Sequence, residues 1–242
     1  MKLFGLTDIG LTRKINEDYY YISKDGLPLL CVADGVGGLN AGEIASYMSI
    51  SSVVSVLCRK NAVFGRETMA EAFRHANDTV NEMAQKNREL HDMGTTLSCA
   101  WFSGGQVCIG HVGDSRIYLY RDGKLEKISK DHSFVEELVD AGTITREQAK
   151  NHPKRNIITR CIGAEEKIDP QIEVLPYGKD DIWLLCSDGL TNYVDDAEIE
   201  SVLSKTDISL PDMLRVLRDK AILGGGRDNI TVAALKGGDD GE

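Results

Sequence analysis

Short runs of apolar or alternating apolar and polar residues recur along the chain, each closed by turn-forming residues. Residues 2–6, 18–23, 27–33, 95–103, 106–113, 115–121 and 124–129 read as strands, and strands return at 171–177, 181–187 and 229–235. Asp25-Gly26 and Asp122-Gly123 fall between such runs and predict hairpin turns, most clearly in IYLYRDGKLEKI. Helical periodicity interrupts the strands. One helix is expected from near Asn40 to about Lys60, with Glu43 as its capping pair, and a second from Arg66 to Lys86. A shorter one starts at Ser133, where Glu136 would complete a capping box, and two more cover Asp195–Ser204 and Leu210–Leu223. Hairpin-linked strands with a few long helices, rather than regular strand–helix alternation, predict a mainly antiparallel α+β fold. Residues 1–236 read as one domain and GGDDGE (237–242) as a solvated acidic tail.

Four of the apolar strands run straight into, or are preceded by, an aspartate. LPLLCVADG ends at Asp34, DIWLLCSDG at Asp188 and VCIGHVGDS at Asp114, while Asp228 precedes NITVAAL. Asp-Gly is a common turn dipeptide, and each occurrence taken singly reads as a turn. Asp34 and Asp188 fit that reading less well, because strands apolar throughout should end part-buried, where a bare carboxylate costs several kcal/mol. In antiparallel sheets strand ends and starts share an edge, so the four carboxylates can converge there. Clustered carboxylates repel unless a cation lies among them, and Mg²⁺ or Mn²⁺ suits such an oxygen site. The glycine at 35 lets its own carbonyl approach as a further ligand. No EF-hand loop is present, and five scattered histidines show no zinc spacing.

Metal ions bridged by an aspartate activate water and clamp phosphoryl oxygens. Arg13, four and five residues before Glu17 and Asp18, is a candidate for gripping a phosphate in two-pronged fashion, although alone it reads as a loop arginine. Rival phosphate chemistries lack their motifs: there is no C-x₅-R, no D-x-D-x-[TV], no P-loop and no G-x-S-x-G elbow.

The segments GLTRKINED (10–18), VADGVGG (32–38), GTTL (94–97), GDSR (113–116), SKDHS (129–133), TRCIG (159–163), CSDGL (186–190) and GGRDNIT (225–231) stand in an order that spans almost the whole chain. In this the chain resembles the metal-dependent serine/threonine protein phosphatases of type 2C, of the compact bacterial kind. The resemblance implies a four-layer αββα sandwich, two antiparallel sheets flanked by helices, with two or three Mn²⁺ or Mg²⁺ ions in a channel between the sheets. Asp34 would bridge two metals, Asp188 and Asp228 would complete the first site, and the Gly35 carbonyl would join Asp34 at the second. Glu17 and Asp18 would lie nearby, directly or through water, and Asp114 with Asp188 would serve a weaker third site. Arg13 would hold the substrate phosphate, and Asn229 would support the turn beside Asp228. The expected activity is hydrolysis of phosphoserine and phosphothreonine in proteins, with a Ser/Thr protein kinase as counterpart. A catalytically silent phosphoprotein-binding regulator and a small-molecule phosphomonoesterase are the alternatives. Eukaryotic members carry a histidine after the Asp-Gly, proposed as the acid for the leaving group; here Val36 stands there, and His132 reads as a loop or core histidine rather than its substitute.

Charge and cysteine usage add boundaries. A net charge of −10 argues against nucleic acid and anionic membrane as partners. No apolar run is long enough to span a bilayer, and the N-terminus does not read as a signal peptide. Six cysteines without a C-x-x-C pair, mostly inside apolar runs, read as reduced and buried in a cytoplasmic protein. Against the acidic background, Arg146, Lys150, Lys154, Arg155 and Arg160 face only Glu147, a local net of +4. This stretch lies in the segment that the resemblance makes a flap, about 143–165, and its Lys154, Arg155 and Arg160 are candidates for attracting phosphorylated substrate; a solvated basic loop is the plain alternative.

Overall fold

The inward and outward positions of ten strands divide the interior into three apolar layers. A computed structural model of the chain describes residues 1–23, 27–36 and 41–238. The strands are β1 (Lys2–Asp8), β2 (Asp18–Ser23), β3 (Leu29–Asp34), β4 (Leu97–Ser103), β5 (Gln106–Val112), β6 (Arg116–Arg121), β7 (Lys124–Lys127), β8 (Gln171–Pro176), β9 (Ile182–Cys186) and β10 (Ile230–Lys236). They form two antiparallel sheets, ordered β1-β10-β9-β6-β7 and β2-β3-β4-β5-β8. All ten expected strands are present.

Side chains alternate between the faces of each strand. Leu30 and Val32 of β3, Ala100 and Phe102 of β4, Val107 and Ile109 of β5, Trp183 and Leu185 of β9 and Ala233 and Leu235 of β10 point inward and form the layer between the sheets. Leu29, Cys31 and Ala33 of β3 point the other way, onto α1 (Gly42–Leu57) and α2 (Arg66–Lys86). Ile182, Leu184 and Cys186 of β9 do the same on the second sheet, beneath α5 (Asp188–Thr191), α6 (Asp196–Leu203) and α7 (Leu210–Gly224). The result is the expected sandwich of two sheets flanked by helices. Full burial of an aliphatic side chain in these layers contributes about 1.5–3 kcal/mol, and it is this that fixes the strand registers.

Local chemistry explains most element ends. The β6–β7 hairpin turns on Asp122 (φ 51°) and Gly123 (φ 79°), the paired positive φ of a two-residue hairpin turn. The turn expected at Asp25-Gly26 lies outside the described residues, as does Asn40. The helix expected near Asn40 begins at Gly42, entered through Ala41 with φ 58°. Ser133 caps α3 (Phe134–Asp140) by accepting from the Glu136 amide, but the Glu136 carboxylate takes the Arg146 guanidinium, so the expected capping box is only half made. A reciprocal box forms instead at Thr145 and Gln148, ahead of α4 (Arg146–Lys150), a one-turn helix that periodicity did not reveal. Cys58 is exposed at the end of α1, unlike the other five cysteines, which are buried as expected. Among the described residues no helix is long and apolar enough to cross a membrane.

Candidate active site

At one end of the sandwich the inward positions change from apolar to polar without changing face. One alternation beyond Val32 stands Asp34, and beyond Tyr20 stands Asp18. Inward from Ala100 come Ser98 and Thr96; from Ile109, His111; from Ile117, Ser115; from Leu185, Ser187; from Ala233, Thr231. All of these except Asp34 are buried. Hydrogen bonds link the two sheets through this polar layer: Ser187 Oγ donates to Asp18 Oδ2 at 2.7 Å, and the Thr96 and Ser115 hydroxyls hydrogen-bond to each other at 2.7 Å. Thr96 also anchors Asp34, giving its hydroxyl to accept from the Asp34 amide at 3.0 Å and its amide to the Asp34 carbonyl at 2.8 Å. Sequence reasoning singled out the aspartates but missed these hydroxyls. Their signal was the same two-residue step from the last inward apolar residue.

Asp34, Asp114, Asp188 and Asp228 do converge, and Asp18 joins them. Burial chiefly pushes the Asp34 carboxyl well above the usual range, and the neighbouring charges of Asp18, Asp188, Asp114 and Asp228 push it further. Asp18 is raised to about 7 by burial, against its hydrogen bonds to Thr231 and Ser187. Asp114 is raised to about 8, first by burial and then by Asp188, and Asp188 is raised by burial and by Asp228. Asp18, Asp34, Asp114 and Asp188, each raised by burial and by neighbouring carboxylates, make with Asp228 a strongly electronegative mouth, which is a site for a cation. Asp188 opens α5 rather than a simple turn, and its carboxylate accepts from Asn192 at 3.0 Å. Gly35 is required by packing: a Cβ there would lie 2.5–2.7 Å from the backbone of Gly42, where α1 starts.

Arg13 lies across the mouth. Its guanidinium meets Asp228 at 3.0 Å and Glu17 at 3.0 Å, and the carboxylates hold it charged above its ordinary range despite partial burial. Asn229 does more than support the turn at Asp228. Its Nδ2 donates to the carbonyls of Ile9 and Ile15, and its Oδ1 accepts from the Glu17 amide, so one side chain shapes the loop carrying Arg13 and Glu17.

The donor set suits a hard dication. All its side-chain atoms are carboxylate oxygens, and Asp18 Oδ1 is buried without a hydrogen-bond partner, an oxygen that a cation would satisfy. As the side chains stand, no three acidic, thiol or imidazole groups among the described residues close on one ion. Asp228 is drawn to Arg13, Asp188 to Asn192 and Asp18 to Ser187. Gripping an ion means exchanging some of those partners for it.

A cleft of about 910 Å³ runs from Asp114 and Asp188 between the basic segment and the start of α6. Arg146, Lys150 and Arg155 line one side, Asp195 and Asp196 the other. Lys154 does not line it but lies over the Phe134 ring, 5.2 Å from the centroid, and Arg160 pairs with Asp169 at 3.8 Å.

The sequence profile of protein phosphatase 2C matches residues 12–222. The chain is 40% identical over 236 residues to the serine/threonine phosphatase stp of Listeria welshimeri, covering 95% of this chain and 93% of that one. It superposes on the crystal structure of the serine/threonine phosphatase PstP/Ppp of Mycobacterium tuberculosis with a TM-score of 0.89 and 35% identity, over 98% of both chains. The catalytic domain of PstP in complex with two manganese ions gives a TM-score of 0.88 at 34% identity, again over 98% of both. With the two-sheet sandwich and the carboxylate mouth of its fold, the chain belongs to the protein phosphatase 2C family.

Proposed function

We propose that this chain hydrolyses phosphoserine and phosphothreonine in protein substrates, using Mn²⁺ or Mg²⁺ held at the carboxylate mouth. The observation that carries the reading is the convergence of Asp18, Asp34, Asp114, Asp188 and Asp228 at one mouth, with one buried oxygen of Asp18 left unpartnered. Support also comes from the manganese-bound PstP relative. In this reading Asp34, Asp188, Asp228 and the Gly35 carbonyl would hold the ions. Glu17 and Asp18 would assist directly or through water, and Asp114 with Asp188 would hold a further ion. Bound dications supply an activated water for direct attack on phosphorus and withdraw charge from the phosphoryl oxygens.

The chain's own groups do the rest. Arg13 exchanges its carboxylate partners for phosphate oxygens, which its planar fork fits. Thr96 and Ser187 hold Asp34 and Asp18 in place from the floor. The cleft beside Asp114 and Asp188 receives the polypeptide around the phosphorylated residue, with Arg146, Lys150 and Arg155 drawing phosphate or acidic side chains toward it. A cognate protein kinase is the natural source of such substrates, and the cytoplasm their place.

The test is release of phosphate from a phosphothreonine peptide and a matched phosphotyrosine peptide, with Mn²⁺, with EDTA, and with Mn²⁺ restored. Activity on phosphothreonine that disappears in EDTA and returns with the metal is expected. Full activity in EDTA would overturn the reading.

A further inference from the structure

Gly113 precedes Asp114, and its conformation has no side chain of its own to hold it. Its φ is 110°, and a Cβ there would lie 2.6 Å from Thr96, so nothing but glycine fits. Two histidines hold it instead. The Gly113 amide donates to His132 Nδ1 at 3.1 Å, and the His132 amide donates back to the Gly113 carbonyl at 2.7 Å. His111 Nε2 meets the same carbonyl at 3.0 Å. The rings are stacked, 5.2 Å apart and 26° from parallel.

We propose that His132, with His111 beneath it, is a positioning residue: the pair clamps Gly113, sets where the Asp114 carboxylate stands, and ties that placement to the flap. The inference rests on the metal-dependent reading above. A carbonyl only accepts, so His111 carries its proton on Nε2, and Nδ1 accepts from Ser98 Oγ at 2.9 Å. An amide N–H only donates, so His132 Nδ1 is bare and its proton is on Nε2. Burial keeps both rings neutral, His111 at about 3 and His132 below its ordinary range. Around His132, Arg160 and Lys130 oppose a charged ring while Asp131 and Asp169 favour one. The tie to the flap runs through the His132 carbonyl, which accepts from the Thr159 amide at 2.8 Å, beside the bridge between Ser133 and Ile158. Thr159 precedes Arg160 at the returning end of the basic segment. A displacement of that segment would therefore reach Asp114 through His132 and Gly113.

The experiment compares His132→Asn, His132→Gln and His132→Ala in the full chain. Asparagine places an accepting oxygen where Nδ1 stands, glutamine places it one bond too far, and alanine has none. Calorimetric titration of the metal-free proteins with Mn²⁺ should show the weakest binding phase loosened about tenfold in the alanine and glutamine variants, the effect of one lost buried hydrogen bond. The asparagine variant should stay within about threefold of the wild type. Phosphopeptide turnover at limiting Mn²⁺ should follow the same order, with thermal melting confirming that each variant folds. Equal Mn²⁺ binding in all three variants and the wild type would overturn the proposal. Independently, long-range ¹H–¹⁵N spectra of the metal-free wild type should show both rings protonated at Nε2, and an Nδ1-protonated His132 would overturn the clamp. Nε2 protons in a wild type that lacks metal-dependent turnover would keep the clamp and remove only the phosphatase reading.

Discussion

Asp18 stands directly opposite Asp34 in the β2–β3 ladder, both carboxylates on the face turned toward the second sheet. Like charges in such a pair are unfavourable by themselves. Protonation relieves that repulsion, and a bound cation would do the same.

Asp34→Asn should therefore separate folding from catalysis. Phosphopeptide turnover should fall by at least about a hundredfold to a thousandfold, as for loss of a preorganised charge at a reacting centre. The metal-free protein should melt no lower than the wild type, because asparagine adds no charge among the crowded carboxylates. A large fall in melting temperature with turnover retained would contradict the assigned role.

Metal-free stability should fall as pH rises. Asp18 at about 7 and Asp114 at about 8 lie above the 3.8 of an exposed carboxylate in the unfolded chain. Between those values the folded state holds more protons, so the stability present in mild acid is lost as pH climbs through 7 and 8. Added Mn²⁺ needs ionised carboxylates and should restore the melting temperature at pH 8 but not at pH 5. Thermal scans across pH with and without Mn²⁺ read both slopes.

Arg13→Ala and Arg13→Lys should both raise KM for phosphopeptide, by about tenfold or more for alanine, because a lysine cannot reproduce a two-pronged contact. Steady-state kinetics at saturating Mn²⁺ check this. An unchanged KM in both would remove Arg13 from phosphate binding.

Charge reversal in the cleft should discriminate between substrates. Arg155→Glu together with Lys150→Glu should raise KM for phosphopeptides several-fold while leaving a small aryl phosphate untouched, since only the peptide reaches those side chains. Lys154 is a poorer probe than its sequence position promised, because its ammonium rests on Phe134 and reversal there also removes a packing contact. Equal effects on both substrates would show that the cleft does not read the polypeptide.

Gly35→Ala should destabilise the protein by about 1–3 kcal/mol, the usual cost of forcing a methyl group into packed backbone. The clash is with Gly42, at 2.5–2.7 Å. Thermal denaturation in EDTA measures this free of any metal contribution.

The strands were legible because a half-buried strand writes its face into alternate residues, as DYYYIS and IYLYRDGKLEKI do. The meeting of Asp34, Asp114, Asp188 and Asp228 was legible because apolar strands ended alike. The short helices at Arg146 and Asp188 were not, since one turn has no period to detect. Nor was the competition at Glu136, whose carboxylate could take the Ser133 amide or Arg146 and takes the latter. The role of Asn229, which binds residues more than two hundred positions away, depends on β10 lying beside β1, a neighbour that no local pattern names.

The inner faces of the sandwich turn from hydrocarbon to hydroxyl, imidazole and carboxylate within a single step along the strands that reach the site. The scaffold and the reaction chamber are thus adjoining stretches of one lattice, sharing registers but not side chains. Altering the terminal rung of a few strands would retune ion preference or ester selectivity while the oily rungs behind it continue to set the architecture.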